Sequence, residues 1–223
     1  MPFFLKKKFT YILLAAAVLL LSFAGLTGCA RFDKTAYVQA ALDSVYKGEH
    51  TKFSEITKTD VSVLENNYLN AVEAESISFM NYMGIGDYID YVNKDVRTKI
   101  RRLLQQIYKH TSYSVGPENE DGTVPVKILP VSLYSLSGKA ITDYMQEFFD
   151  KNDKKEFKDL TDEEFYSRYI DGIINIMTES MDAITYTNEI TVNVAVELDD
   201  NGVYSISEDS FAEIDKYILD YTI

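Results

Sequence analysis

The sequence predicts an α+β fold, a helix-rich single domain packed on an antiparallel sheet of about four strands in two hairpins. Three observations predict it. Ile89, Val92, Val96, Ile100, Leu103 and Ile107 recur at spacings of three and four, the pattern of an amphipathic helix. Ile190, Val192, Val194, Val196 and Leu198 alternate with Thr191, Asn193, Ala195 and Glu197, the pattern of a strand with one buried face. The elements then run helices, hairpin, helices, hairpin, helix, an order that favours antiparallel pairing over βαβ crossovers.

Taken in order, Asp33 is positioned to cap a helix carrying Val38, Ala41, Leu42 and Val45 on one face, ended by Gly48 as a left-handed residue. His50 to Thr57 reads as a short helix with Phe53 and Ile56 inward. Thr59-Asp60 opens a long helix to Met83, with Leu64, Tyr68, Ala71, Val72, Phe79 and Met83 on one side. Gly84-Ile85-Gly86 breaks it. The clearest helix starts at Asp87 and runs to His110, with Asn93, Lys94, Asp95, Lys99 and Arg102 on its polar side, and it is expected to pack against the sheet.

The period then changes to two. Thr111 to Val115 and Val124, Val126, Ile128, Val131 and Leu133 read as a first hairpin, with Pro125 and Pro130 favouring an edge strand or a bulge. Lys139 to Phe149 returns to helix, with Ile141, Met145, Phe148 and Phe149 inward. Thr161 to Glu164 is a capping box that opens a helix bearing Phe165, Tyr169, Ile173, Ile176, Met177 and Ile184. Asp199 to Gly202 reads as the tight turn of the second hairpin, its Asn-Gly suited to type I′. Tyr204 and Ile206 form the return strand. Ser207 or Asp209 caps a last helix with Phe211, Ile214, Tyr217 and Ile218.

Ahead of this domain lies a leader. Lys6, Lys7 and Lys8 precede an apolar run from Phe9 to Leu26, and small residues lead to Cys29, the single cysteine. No basic stop-transfer cluster follows, since Arg31 and Lys34 are isolated. Leu26-Thr27-Gly28-Cys29 resembles the lipobox of bacterial lipoproteins. The resemblance implies cleavage before Cys29 and a diacylglyceryl group, a palmitate-class anchor, on its thiol. Each buried CH₂ of such a group contributes about 0.8 kcal/mol, so two chains hold firmly where one does not. The expected organisation is a signal peptide at 1–28, a lipid-anchored tether at 29–34 and an extracytoplasmic domain at 35–223, on the outer face of the cell membrane.

Composition narrows the partners. The formal net charge is −13, and three of the 22 basic residues lie in the leader, so the domain beyond it is more acidic still. Such a chain is repelled by nucleic acid and by anionic headgroups, so nucleic acid is excluded as a partner and the lipid, not charge, is expected to hold the membrane. With 17 Tyr, 12 Phe and 46% hydrophobic residues, material for a core is ample.

Candidate chemistry is sparse. Glu197-x-Asp199-x-Asn201-Gly202 and Glu208 match part of an EF-hand calcium loop, but an alternating strand, not a helix, leads into it, and a hairpin turn accounts for the same residues. His50 and His110 have no partner at ligand spacing, and His110 suits a helix C-terminus. The acids of Asp162-Glu163-Glu164 suit a first helical turn. No Gly-x-Ser-x-Gly or phosphate-cradling glycine loop exists. No cofactor, metal or enzymatic activity is therefore expected. Tyr82, Tyr88 and Tyr91, with Tyr108, gather around the Gly84–Gly86 break. Core aromatics are the ordinary reading of such tyrosines, and an exposed group of them is the best candidate for a contact surface.

Phe32-Asp33-Lys34-Thr35-Ala36-Tyr37-Val38 through Tyr46-Lys47-Gly48-Glu49 resembles the start of the mature domain in a family of Gram-positive surface lipoproteins. Asp200-Asn201-Gly202-Val203-Tyr204-Ser205-Ile206 and the last helix are similar to the end of such domains. The helix, Lys-Gly-Glu, helix and strand pair also resemble nuclear-transport-factor-like and cystatin-like lipoprotein domains, although more helix precedes the first strand here. These resemblances imply a location and no established activity. The expected role is binding of an envelope protein or ligand; a transporter's solute-binding accessory is the alternative, but it needs two α/β lobes that this pattern lacks, and an envelope enzyme lacks a motif. Metabolic labelling with an acyl-chain probe should mark the wild type and spare Cys29→Ser; equal labelling of both would overturn the anchor.

Overall fold

A computed structural model describes residues 32–200 and 202–219; the leader and Cys29 lie outside the described residues. Helix α1, Lys34–Leu42, is capped by the Asp33 carboxylate, which accepts the Ala36 N–H. It runs straight into a single π-helical turn, Asp43–Lys47, closed by Gly48 at φ 69°. Ser44, Val45 and Tyr46 of this turn are all buried, continuing the buried run of Ala40, Ala41 and Leu42 at the end of α1. Then follow α2, Thr51–Thr57, and α3, Val61–Tyr82, the latter capped by Asp60.

The next helix begins later than its periodicity suggests. Gly86–Tyr91 forms a separate 3-10 segment, and α4 spans Lys94–Lys109. Asn93, expected on the polar face, is instead the N-cap and accepts the Val96 N–H. The Arg97 guanidinium reaches back to the carbonyls of Val92 and Ile89, satisfying groups that a continuous helix would have paired. Nor does α4 pack chiefly on the sheet as expected. Its neighbours are α3, α6 and the π-turn.

Strands β1, Ser112–Val115, β2, Val124–Leu129, and β3, Ile190–Val194, form one antiparallel sheet in the order β1-β2-β3. The expectation that its prolines mark an edge fails for β2, which is central. Pro125 lies one residue beyond the last β1–β2 pair, Val115↔Val126. Its carbonyl accepts the Gly116 N–H. The N–H that proline lacks would have gone to the Gly116 carbonyl, and the Thr35 hydroxyl donates there instead, at 3.2 Å. Tyr113, Val115, Val124, Val126, Ile128, Val192 and Val194 share the inner face, while Ser114, Lys127, Thr191 and Asn193 face solvent. Helices α1 and α7, Glu208–Ile218, cover the inner face.

Val131 and Leu133 do not prolong β2. Val131 makes isolated bridges to Tyr186 and Leu219, and Leu133 is the first residue of α5, Leu133–Asp153, longer at both ends than the pattern indicated. Phe149 is exposed rather than inward. Helix α6, Asp162–Ser180, carries both halves of the Thr161–Glu164 capping box and returns along α5, before a 3-10 turn at Met181–Ala183.

The long alternating run is one strand in sequence and two in space. It breaks at Ala195, whose N–H goes to Ser210 Oγ and whose carbonyl accepts the Ser207 N–H, both at the start of α7. Beyond the break, among the described residues, β4, Val196–Leu198, pairs only with β5, Tyr204–Ile206. The connection is not a two-residue type I′ turn. Asp199 N–H pairs with the Val203 carbonyl, Gly202 N–H donates to the Asp199 carbonyl, and Gly202 adopts φ 79°, the three-residue form with glycine in the left-handed region. Leu198 consequently ends on the surface.

One continuous core joins the two halves, from Val38 and Leu42 through Ile100 and Ile107 to Ile173 and Ile214. Ile100 is fully enclosed. Ile100→Ala should therefore lower unfolding free energy by about 2–5 kcal/mol in urea melts; a loss under 1 kcal/mol would show that the site is not packed as described.

Candidate functional site

The tyrosines named from the sequence separate into three environments. Tyr108 is buried and packs its ring 5.8 Å from that of Tyr46, so it belongs to the core. Tyr82 is half-buried against the core. Tyr88 and Tyr91 remain on the surface, each 43% exposed. A residue that sequence reasoning missed completes the group. Tyr166, from the second turn of α6, stacks on Tyr88 with ring centroids 4.5 Å apart at 12°, and on Tyr91 at 5.9 Å and 26°. Phe165 meets Tyr166 edge-on behind it.

Local chemistry explains why these rings stand outward. The Gly84 turn, at φ 84°, ends α3, and the 3-10 segment after it holds Tyr88 and Tyr91 three residues apart, on one side. Arg97 fixes the segment from below through its two carbonyl bonds. The α6 side is fixed by Ser167 Oγ, which accepts the Asn93 N–H at 3.0 Å, and by the Tyr169 hydroxyl, which donates to the Met83 carbonyl at 3.0 Å. Burial, with the Tyr88 hydroxyl beside it, pushes the Tyr166 phenol up to about 12. A shallow groove of mixed character, lined by Val96 and Leu160 as well as Asn93, Glu164, Ser167, Arg168 and Asp171, runs alongside, with Lys99 bridging to Asp171.

A second constellation lies under the π-turn, and of its members only His50 was singled out from sequence, as a histidine without a partner at ligand spacing. Asp43 accepts from Gln39 at 2.8 Å and from the Tyr113 hydroxyl at 2.8 Å, and pairs with Lys47 at 3.0 Å. Burial alone would raise its carboxyl, but these donors outweigh it and hold Asp43 below its ordinary value. The Gln39-Asp43-Lys47 spacing of four was the available signal. Tyr46 donates to Asp215 of α7 at 3.3 Å. Ser44 and His50 hydrogen-bond at 2.8 Å through Nδ1, which has the look of a nucleophile and base. Ser44 is only 2% exposed, however, and burial lowers the His50 imidazole, so the pair acts as a satisfied core contact.

The remaining candidates resolve simply. The Asp199 carboxylate accepts the Val203 N–H at 2.8 Å and so braces the hairpin loop. His110 caps α4, and its carbonyl accepts the Tyr186 hydroxyl. Among the described residues no group of three or more His, Cys, Asp or Glu is placed to hold a metal ion, and no helix is long and apolar enough to cross a membrane.

Fold and site thus define a helix-rich α+β domain with a one-sided sheet and a surface tyrosine cluster on its helical half. No family profile matches the chain, and no curated protein matches it in sequence. Among solved structures, it is similar in fold to a candidate lipoprotein of Bacillus subtilis, ycdA, with a TM-score of 0.57 and 17% identity. The match covers 84% of this chain and 56% of that one, so the chain spans little more than half the length of that neighbour. At such identity the likeness is one of fold.

The half-buried Asp215 gives a pH signature. Burial raises its carboxyl to about 6, against a weaker opposing pull from the Tyr46 hydroxyl. A carboxyl raised in the folded state keeps its proton where the unfolded chain has lost it. Its contribution is therefore full below about pH 4 and is lost as pH rises through 6, a swing of at most about 3 kcal/mol. Asp215→Asn, which keeps an acceptor for Tyr46, should stabilise the domain at pH 8 and leave it unchanged at pH 4. Urea melts at both pH values check this, and equal effects would remove the assignment.

Proposed function

We propose that this chain is a membrane-anchored extracytoplasmic lipoprotein, held by lipid on Cys29, that binds an envelope partner without catalysis. The observation that carries the binding role is the stacked trio Tyr88, Tyr91 and Tyr166. Aromatic side chains of this kind bring large contact area at low conformational cost, and tyrosines are enriched where proteins meet. Tyr88 and Tyr91 each leave 43% of their surface open. Support for the anchor comes from the lipobox sequence and from the fold likeness to a candidate lipoprotein. Support for a non-catalytic role comes from the enclosure of the Ser44–His50 pair.

A photo-crosslinking amino acid placed at Tyr91 in intact cells should yield a discrete adduct of higher mass, whereas the same group at Thr191, on the solvent face of β3, should yield none. The adduct should fade when Tyr88→Ala is added. An adduct at Thr191 and none at Tyr91 would remove the cluster as the contact surface.

A further inference from the structure

We propose that an apolar patch of Phe32, Tyr204 and Leu198 rests on the lipid headgroup layer, so that the domain stands on the membrane by its β4–β5 end; this rests on the lipid-anchored reading above. The chain is already fixed where it enters the domain. The Phe32 ring lies flat on Tyr204, with centroids 3.7 Å apart and planes at 2°. The Tyr37 hydroxyl donates to the Tyr204 carbonyl at 3.0 Å. Lys34 Nζ donates to the Gly122 carbonyl at 2.9 Å and pairs with Glu118 at 3.2 Å. The expected tether therefore has no slack in its last residues, 32–34, which belong to the fold.

Leu198 stands directly across the ribbon from Tyr204, and such cross-strand partners project on the same face. At 55%, it is the most exposed large apolar side chain among the described residues. Two residues, Ala30 and Arg31, lie between Cys29 and Phe32, so three Cα steps give a reach of about 10 Å at full extension. An acylated Cys29 sits at the membrane surface, so Phe32 is held within that distance of it, and Tyr204 and Leu198 are held beside Phe32. Aromatic residues favour this interfacial depth. The occupant of the patch is therefore the lipid surface rather than a protein. Exposed carboxylates at Glu197, Asp199 and Asp200 belong to the same hairpin, and Glu120 and Asp121 belong to the β1–β2 loop whose Gly122 carbonyl accepts from Lys34. They keep the contact superficial, since no attraction to anionic headgroups draws the domain inward. The tyrosine cluster lies elsewhere. The C-terminal end of α4 joins the sheet, and the N-terminal end, a helix length of about 24 Å away, meets the cluster. Standing on the hairpin end leaves Tyr88 and Tyr91 clear of the bilayer.

The chain contains no tryptophan, so one introduced indole reports alone. The full lipidated protein carrying Leu198→Trp, and separately Tyr88→Trp, would be reconstituted in phosphatidylcholine vesicles doped with a headgroup-nitroxide lipid. Both should float with the vesicles, and the fluorophore at Leu198 should be quenched at least twofold more than that at Tyr88. Flotation with equal or reversed quenching would overturn the standing orientation and leave the anchor intact. Failure of the wild type to float would overturn the anchor itself and the orientation with it. With Cys29→Ser added to Leu198→Trp, quenching should vanish; quenching that persisted without flotation would show that it does not report lipid contact, and would overturn the assignment.

Discussion

The one-sided sheet sets the terms for the rest of the molecule. Val124, Val126, Ile128 and Val194 are wholly enclosed on its inner face, while the outer face meets water. Each such side chain contributes about 1.5–3 kcal/mol only if something covers it. The cover comes from the first and last helices of the domain. That requirement brings α1 and α7 together across β2, although nearly the whole domain separates them in sequence. The π-turn is a consequence. It keeps α1 in contact with the sheet and turns Tyr46 inward, where its hydroxyl meets Asp215 of α7.

Accommodating a proline in the central strand follows from the same arrangement. Pro125 is tolerated because β1 stops one residue short and α1 supplies the Thr35 hydroxyl in place of the absent donor. At the other side of the sheet, the start of α7 takes both backbone groups of Ala195. With those groups diverted, the strand cannot continue its ladder, and β4 turns away to pair with β5. The separate hairpin then places Tyr204 under Phe32, so a break in a strand decides where the chain's N-terminal approach is fixed.

The helical half has a different logic. Helices α5 and α6 form an antiparallel pair whose contacts run mainly to each other, α4 and the 3-10 segment. Aromatic rings do much of the joining. Phe148 meets Phe157, Phe165 and Tyr169 at centroid distances between 4.8 and 5.3 Å. Tyr88, Tyr91 and Tyr166 continue this aromatic seam onto the surface, where ring stacking and the Arg97 and Ser167 bonds hold them in fixed relation. A cluster held in place before a partner arrives loses less entropy on binding than one that must be gathered.

What the sequence by itself determined was whatever local physics decides. Caps at Asp33, Asp60 and Thr161, the left-handed Gly48, the amphipathic faces of α3, α4 and α6, and the period-two pattern of β2 and β3 all depend on neighbours a few residues away, and all are present. The α+β class followed from their order. Tertiary structure decided what needed distant partners. Asn93 became a cap because Arg97 and Ser167 could satisfy the segment before it. Pro125 entered a central strand because Thr35, from the opposite end of the domain, replaced its donor. The alternating run split at Ala195 because α7 claimed the backbone there. Tyr166 joined Tyr88 and Tyr91 through the α5–α6 hairpin, and no spacing in the chain encodes that meeting. Periodicity reports which face of an element is apolar. Only the packed structure decides what that face meets, and which rings are left facing solvent.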